Sequence, residues 1–182
     1  LDLDGGEQMN RGLIVRSLVA VGLLILLAAG SWAVPIEYVR IGNPGNADDI
    51  HGDGYGGVDY TYLIGKYEVT NAQYAEFLNA VAADDTYGLY EPYMAIVLPG
   101  ITRSGSSGSY TYSVTAGREV MPVHFVSFWN ALRFTNWLHN GQPTGAQDNT
   151  TTEDGAYTLN GYTGNDGSWI NRNPGATVFV PS

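Results

Sequence analysis

The 182-residue chain contains no cysteine. That one absence excludes a disulfide, a thiolate metal site, a cysteine nucleophile and a lipid-modified cysteine. Basic residues are also scarce, at 8 Lys and Arg against 18 Asp and Glu, for a formal net charge of −10. A surface of that sign repels phosphate backbones, so nucleic acid is excluded as a natural partner. Long apolar runs are missing too. The uninterrupted stretch Leu18 to Ala29, "LVAVGLLILLAA", spans about a dozen residues, against roughly 20 for a membrane-spanning helix. No internal repeat and no heptad pattern is present.

That short apolar run has a context. Met9-Asn10-Arg11 and Arg16 precede it with positive charge, and "GSWAVP" follows, with Ser31 and Ala33 in the small-x-small pattern of a signal-peptidase site. Residues 9–33 therefore read as a signal peptide, and the acidic residues 1–8, "LDLDGGEQ", as a start called too early. Cleavage after Ala33 leaves residues 34–182. Losing Asp2, Asp4, Glu7, Arg11 and Arg16 moves the net charge from −10 to about −9. The expectation is a secreted or periplasmic protein with no membrane span after cleavage.

Residues 42–59 are almost all turn-formers, and "YTYLIGKYEV", Tyr60 to Val69, reads as a strand with a possible bulge at Gly65. Thr70 and Gln73 form a capping box in sequence, ahead of Tyr74, Phe77, Leu78 and Val81 at helical spacing. Asp84-Asp85 ends that helix. Tyr110, Tyr112 and Val114 alternate as a short strand after a Gly/Ser loop. Val123 to Val126 reads as extended. Ser127 reads as the N-cap of a second helix, with Phe128, Ala131, Leu132, Thr135 and Leu138 on one face, widened by Phe134 and Trp137. His139-Asn140-Gly141 is its stop signal. "AYTLNGY", Ala156 to Tyr162, and Ala176 to Val180 both read as strands. The fold class is α+β: two main helices with short strands and long loops.

Three of these segments, in order, resemble the formylglycine-generating enzyme family, also called the sulfatase-modifying factor family. They are "YEVTNAQYAEFL", "PVHFVSFWNALRFTNWL" and "NGQPTGAQDNTTTEDGAYTL", the last resembling an insertion of the bacterial exported branch. The resemblance runs from Ile41 to Ser182. It implies an irregular C-type-lectin-like fold. In the family a strand like "GATVFVPS" runs on into a Pro-Thr/Ser-Glu-x-Glu-Trp motif and a further helix. Residues 34–182 are therefore expected to be the N-terminal part of such a domain. The resemblance places the copper-holding cysteine pair and the calcium sites in the missing C-terminal part, so no cofactor is expected in this chain.

No residue is assigned a catalytic, cofactor-binding or metal-ligating role. A related branch uses iron held by three histidines, but His51, His124 and His139 lack ligand spacing; His124 reads as structural or surface, His139 as a helix C-terminal charge. Asp48, Asp49, Asp53, Asp59, Asp148, Glu153 and Asp154 miss the Asp-x-Asp-x-Asp-Gly calcium pattern and read as solvated turn acids. Trp129 and Trp137 read as packing, and the tyrosines of residues 87–112 as the better candidates for an exposed surface.

Three readings follow. The chain is a non-catalytic binding or accessory module whose partner is an exported protein or a carbohydrate. Alternatively it is the N-terminal fragment of an active oxidase, or a lectin-like carbohydrate-binding or surface protein. A cysteine pair downstream would separate the second from the others.

Overall fold

A computed structural model describes residues 34–164 and 166–181. The expected signal peptide at 9–33 and the expected mis-called start at 1–8 lie outside the described residues. Among the described residues no helix is long and apolar enough to cross a membrane.

Helix α1 spans Asn71–Val81, and its start is the capping box expected from the sequence. Thr70 is extended, its hydroxyl accepts from Gln73 N at 3.3 Å, and Gln73 Oε1 accepts from Thr70 N at 2.9 Å. Tyr74, Phe77, Leu78 and Val81 are all buried, as their spacing predicts. Thr70→Ala should cost roughly 0.5–2 kcal/mol in urea unfolding, because Gln73 N loses its side-chain acceptor, while Thr70→Ser should stay close to the parent.

Helix α2 spans Phe128–His139, with Ser127 Oγ accepting from Asn130 N at 3.2 Å. It ends at Asn140, followed by Gly141 at φ +82°, a left-handed conformation that glycine adopts without strain. The buried set of α2 differs from the expected stripe. Trp129, Leu132, Phe134 and Trp137 are buried, and so are Asn130, Arg133 and Asn136, whereas Phe128 is 52% exposed. The reason is that α2 is covered on two sides. Phe134 and Trp137 join the core around α1, while Trp129 and Leu132 pack with Ala156, Tyr157 and Leu159.

The strands form two separate antiparallel pairs. Strand β1 (Tyr38–Ile41) pairs with β2 (Tyr62–Gly65), and β3 (Ile101–Ser104) with β4 (Thr111–Val114). Expected strand Tyr60 to Val69 is thus shorter, and Gly65 sits in register opposite Tyr38 without a bulge. At the β3–β4 turn, Gly105 has φ +89°, and a Cβ there would lie 2.6 Å from Ser109 O. The Asn79 side chain works as an extra ladder rung: Nδ2 donates to Tyr112 O, and Oδ1 accepts from Tyr112 N. This docks α1 on β4.

Two expected strands do not form. Ala156 to Tyr162 has one isolated bridge, Tyr157 to Arg172, because the backbone N–H and C=O of Tyr157 are taken by the side chain of Asn136. Ala176 to Val180 is irregular, with Val180 N donating to the Tyr157 hydroxyl. The expected extended stretch Val123 to Val126 forms only at its start, where Thr70 bridges Pro122 and Val123 N donates to Val69 O; Phe125, at φ +59°, breaks it. Two helices with short antiparallel strands make the α+β class that the sequence predicts.

Tyr74 and Tyr112 are buried, with hydroxyls donating to Leu89 O and Ala82 O. Burial, and after it the Asp85 carboxylate, pushes both phenols well above the ordinary value of 10.0. Because the folded values are raised, this stabilisation is complete below about pH 10 and is lost as pH rises through the folded values. Phenolate absorbance should therefore keep a late phase that coincides with unfolding and shrinks in Tyr74→Phe. A single phase centred at 10.0 would contradict the burial of both rings.

Candidate functional site

The polar side of α2 organises the loops around it. Arg133 is fully buried, and its guanidinium grips Glu153 with two bonds, Nε to Oε1 at 2.7 Å and Nη2 to Oε2 at 2.9 Å. Nη2 also donates to Tyr162 O, and the guanidinium lies 4.5 Å from the centroid of the Tyr87 ring. Glu153 takes further bonds from Thr152 Oγ1 and Gly161 N, both at 2.9 Å. A charge pair taken out of water needs that degree of satisfaction. Glu153 is therefore no solvated turn acid: it is 2% exposed, and the paired guanidinium is what makes its burial tolerable.

Asn136, one turn further along, donates from Nδ2 to Thr152 O and Tyr157 O and accepts from Tyr157 N, each at 2.8 Å. Asn140 donates to Thr151 O and Asp154 O. Arg133, Asn136 and Asn140 stand at i, i+3 and i+7, so they share one face of the helix and its C-cap. Sequence reasoning missed this stripe while tracing the apolar one. The signal was present as Arg-x-x-Asn-x-x-x-Asn beside the apolar positions.

In front of Arg133, at the first turn of α2, lies a cavity of about 440 Å³. Phe128, Trp129 and Asn130 line it from the helix, Phe125 from the preceding segment, and Tyr87 and Glu91 from the chain that leads into a 3-10 turn at Pro92–Ala95. Phe125 holds φ +59°, a conformation strained for a bulky side chain. Its ring lies 5.6 Å from that of Tyr93. A second, larger groove of about 710 Å³ is lined mainly by apolar side chains, including Ile36, Leu63, Val123 and Phe179, and offers little chemistry.

The structure disperses the other candidates. His124 Nε2 bonds Val97 O, His139 Nδ1 meets Thr177, and His51 lies in an exposed turn. Among the described residues no group of three His, Cys, Asp or Glu could hold a metal ion. The copper and calcium implied by the resemblance thus find no fitting donor set here. Asp49 and Asp53 accept backbone N–H bonds two residues on, and Asp148 accepts from Thr150 N and Oγ1, which is turn chemistry. Thr150 holds the Asp148 carboxyl below the usual range. Asp154 accepts from Thr158 Oγ1. Ser127 is the helix cap expected of it. Among the tyrosines of residues 87–112, Tyr90 and Tyr112 are core, Tyr87 and Tyr110 are half-buried, and Tyr93 is exposed. Trp137 is core, as expected, whereas Trp129 packs with one edge on the cavity.

A family model described as "Sulfatase-modifying factor enzyme 1-like domain" matches residues 57–176, more than half of the chain. Searches of curated proteins and of solved structures found no match.

Proposed function

The chain belongs to the sulfatase-modifying factor family, and from that premise we propose that, as it stands, it is an exported, non-catalytic binding or accessory module of the bacterial branch. One observation carries the reading: none of the 182 residues is cysteine. The family's oxidation of a peptide cysteine, as the resemblance implies it, needs a soft thiolate pair for Cu(I), and no other side chain substitutes for two thiolates. The buried ionisable pair gives no alternative chemistry. Arg133 and Glu153 bond to each other and to backbone, which serves the loops and not a reacting group.

Export is supported by the basic, apolar and small-residue order of Met9 to Ala33. The partner is then an extracytoplasmic protein or carbohydrate, and the net charge of −10 disfavours nucleic acid.

Two measurements test this. The purified chain, given copper and oxygen, should leave an unfolded sulfatase-derived cysteine peptide unchanged by mass spectrometry; formation of formylglycine would refute the non-catalytic reading. N-terminal sequencing of protein from the native host should begin at or near Val34. Soluble cytoplasmic protein that still carries Met9 would refute export.

A further inference from the structure

We propose that the cavity at the first turn of α2 is a binding site for a neutral saccharide; this names a ligand class for the binding module above and rests on that reading. The cavity, at about 440 Å³, falls within the roughly 300–1,000 Å³ of small-ligand sites. Its lining combines unfilled acceptors with open aromatic surface. Asn130 is only 6% exposed, and its Nδ2 donates to Gly88 O at 2.9 Å. Its Oδ1 takes no hydrogen bond from the described residues and belongs to the cavity lining. That oxygen is not sealed from solvent, so a ligand hydroxyl in the cavity would take the place of water as its donor. The Glu91 carboxylate, on the same lining, likewise has no hydrogen-bond or ion-pair partner among the described residues.

Charge then narrows the chemistry. Arg133 is the cation of the lining, and Glu153 already matches it. Glu91 leaves the cavity negative, which disfavours phosphate, sulfate and carboxylate ligands. A single carboxylate falls far short of the six to eight oxygens that calcium takes. An extended peptide that docks by strand addition needs an open sheet edge, and no lining residue belongs to a strand. A carboxylate beside open aromatic rings suits an organic cation or an uncharged, hydroxyl-rich ligand. The open Asn130 acceptor favours the hydroxyl-rich one, and strongly salt-dependent binding would overturn it in favour of the cation.

The aromatic side chains complete the match. Phe128 is 52% exposed, Phe125 43% and, next to it, Tyr93 54%. Trp129 lines the cavity and carries Trp169, 44% exposed, stacked at 5.9 Å. Apolar faces of pyranose rings pack on such rings while their hydroxyls reach the polar floor. Phe125 is held at φ +59° on this rim, and strain of that kind collects at ligand sites.

The full chain should be retarded in native gels cast with a neutral polysaccharide (hydroxyethyl cellulose, galactomannan or laminarin). Titration with cellohexaose or mannohexaose should change its tryptophan emission, through Trp129. Phe128→Ala should weaken binding by roughly tenfold, and Glu91→Gln should weaken it as well. Both variants should stay cooperatively folded, with at most a small drop in melting temperature for Phe128→Ala, whose half-buried ring also packs on Trp129. Salt should have little effect, as expected for an uncharged ligand. Failure of every listed saccharide to bind overturns the proposal. Undiminished binding by folded Phe128→Ala overturns this cavity as the site. Binding of a cysteine peptide in place of any saccharide, lost in Phe128→Ala, overturns the ligand class but leaves the binding module standing. Conversion of that peptide to formylglycine would instead refute the module reading itself.

Discussion

Glu153→Ala should lower stability by roughly 3–5 kcal/mol, the range for breaking a buried ion pair by removing one partner. The loss comes less from the missing attraction than from what stays behind. Arg133, fully buried, would keep its charge with only Tyr162 O and the Tyr87 ring as company. Gly161 N and Thr152 Oγ1 would lose their acceptor in the same step. Arg133→Ala should be comparably damaging, because it strands the carboxylate. The double variant Arg133→Met with Glu153→Leu is the informative control. It removes both charges and keeps the volume, so it should cost clearly less than the two single changes added together. Urea unfolding reads all three, with the change in the midpoint and not in the slope. Single variants within about 1 kcal/mol of the parent would mean the pair is solvated like a surface bridge.

Phe77→Ala is expected to cost about 3–5 kcal/mol. Phe77 has no exposed surface, and its ring lies 5.4 Å from Tyr74, 5.3 Å from Phe134 and 5.2 Å from Trp137. These rings come from both helices, so the cavity left by alanine would open where α1 meets α2, and large rigid rings cannot collapse into it easily. Phe77→Leu should cost less, since it keeps most of the volume. Unchanged melting of Phe77→Ala would put the apolar face of α1 on the wrong side.

The contrast between these two sites shows what was legible in advance. Phe77 could be placed from spacing alone, because i, i+3, i+4 and i+7 apolar residues have one sensible destination. The Thr70 and Gln73 box and the Asn140-Gly141 stop could be read for the same reason: caps are made within a few residues of themselves. Glu153 could not be placed. It sits in a polar, glycine-flanked loop, and the partner that makes its burial possible is 20 residues earlier, on a helix face that reads as mixed. Tyr157 failed in the same way. Its local sequence favours a strand, yet its backbone bonds go to Asn136, a side chain 21 residues away.

The cavity shows the division most plainly. Its residues come from 87–91, from 125–133 and from Thr163, Gly164 and Gly167, and no spacing rule links those three stretches. Phe128 was placed in the apolar stripe because periodicity reports direction around a helix axis but not what covers each side. By itself the sequence determined the composition limits: no thiol chemistry, an acidic surface, two capped helices and the α+β class. Only the tertiary structure decided which polar residues are buried and which aromatic stays open. Burying a charge or an amide depends on a partner brought in from distant sequence, and leaving a ring exposed depends on no partner arriving.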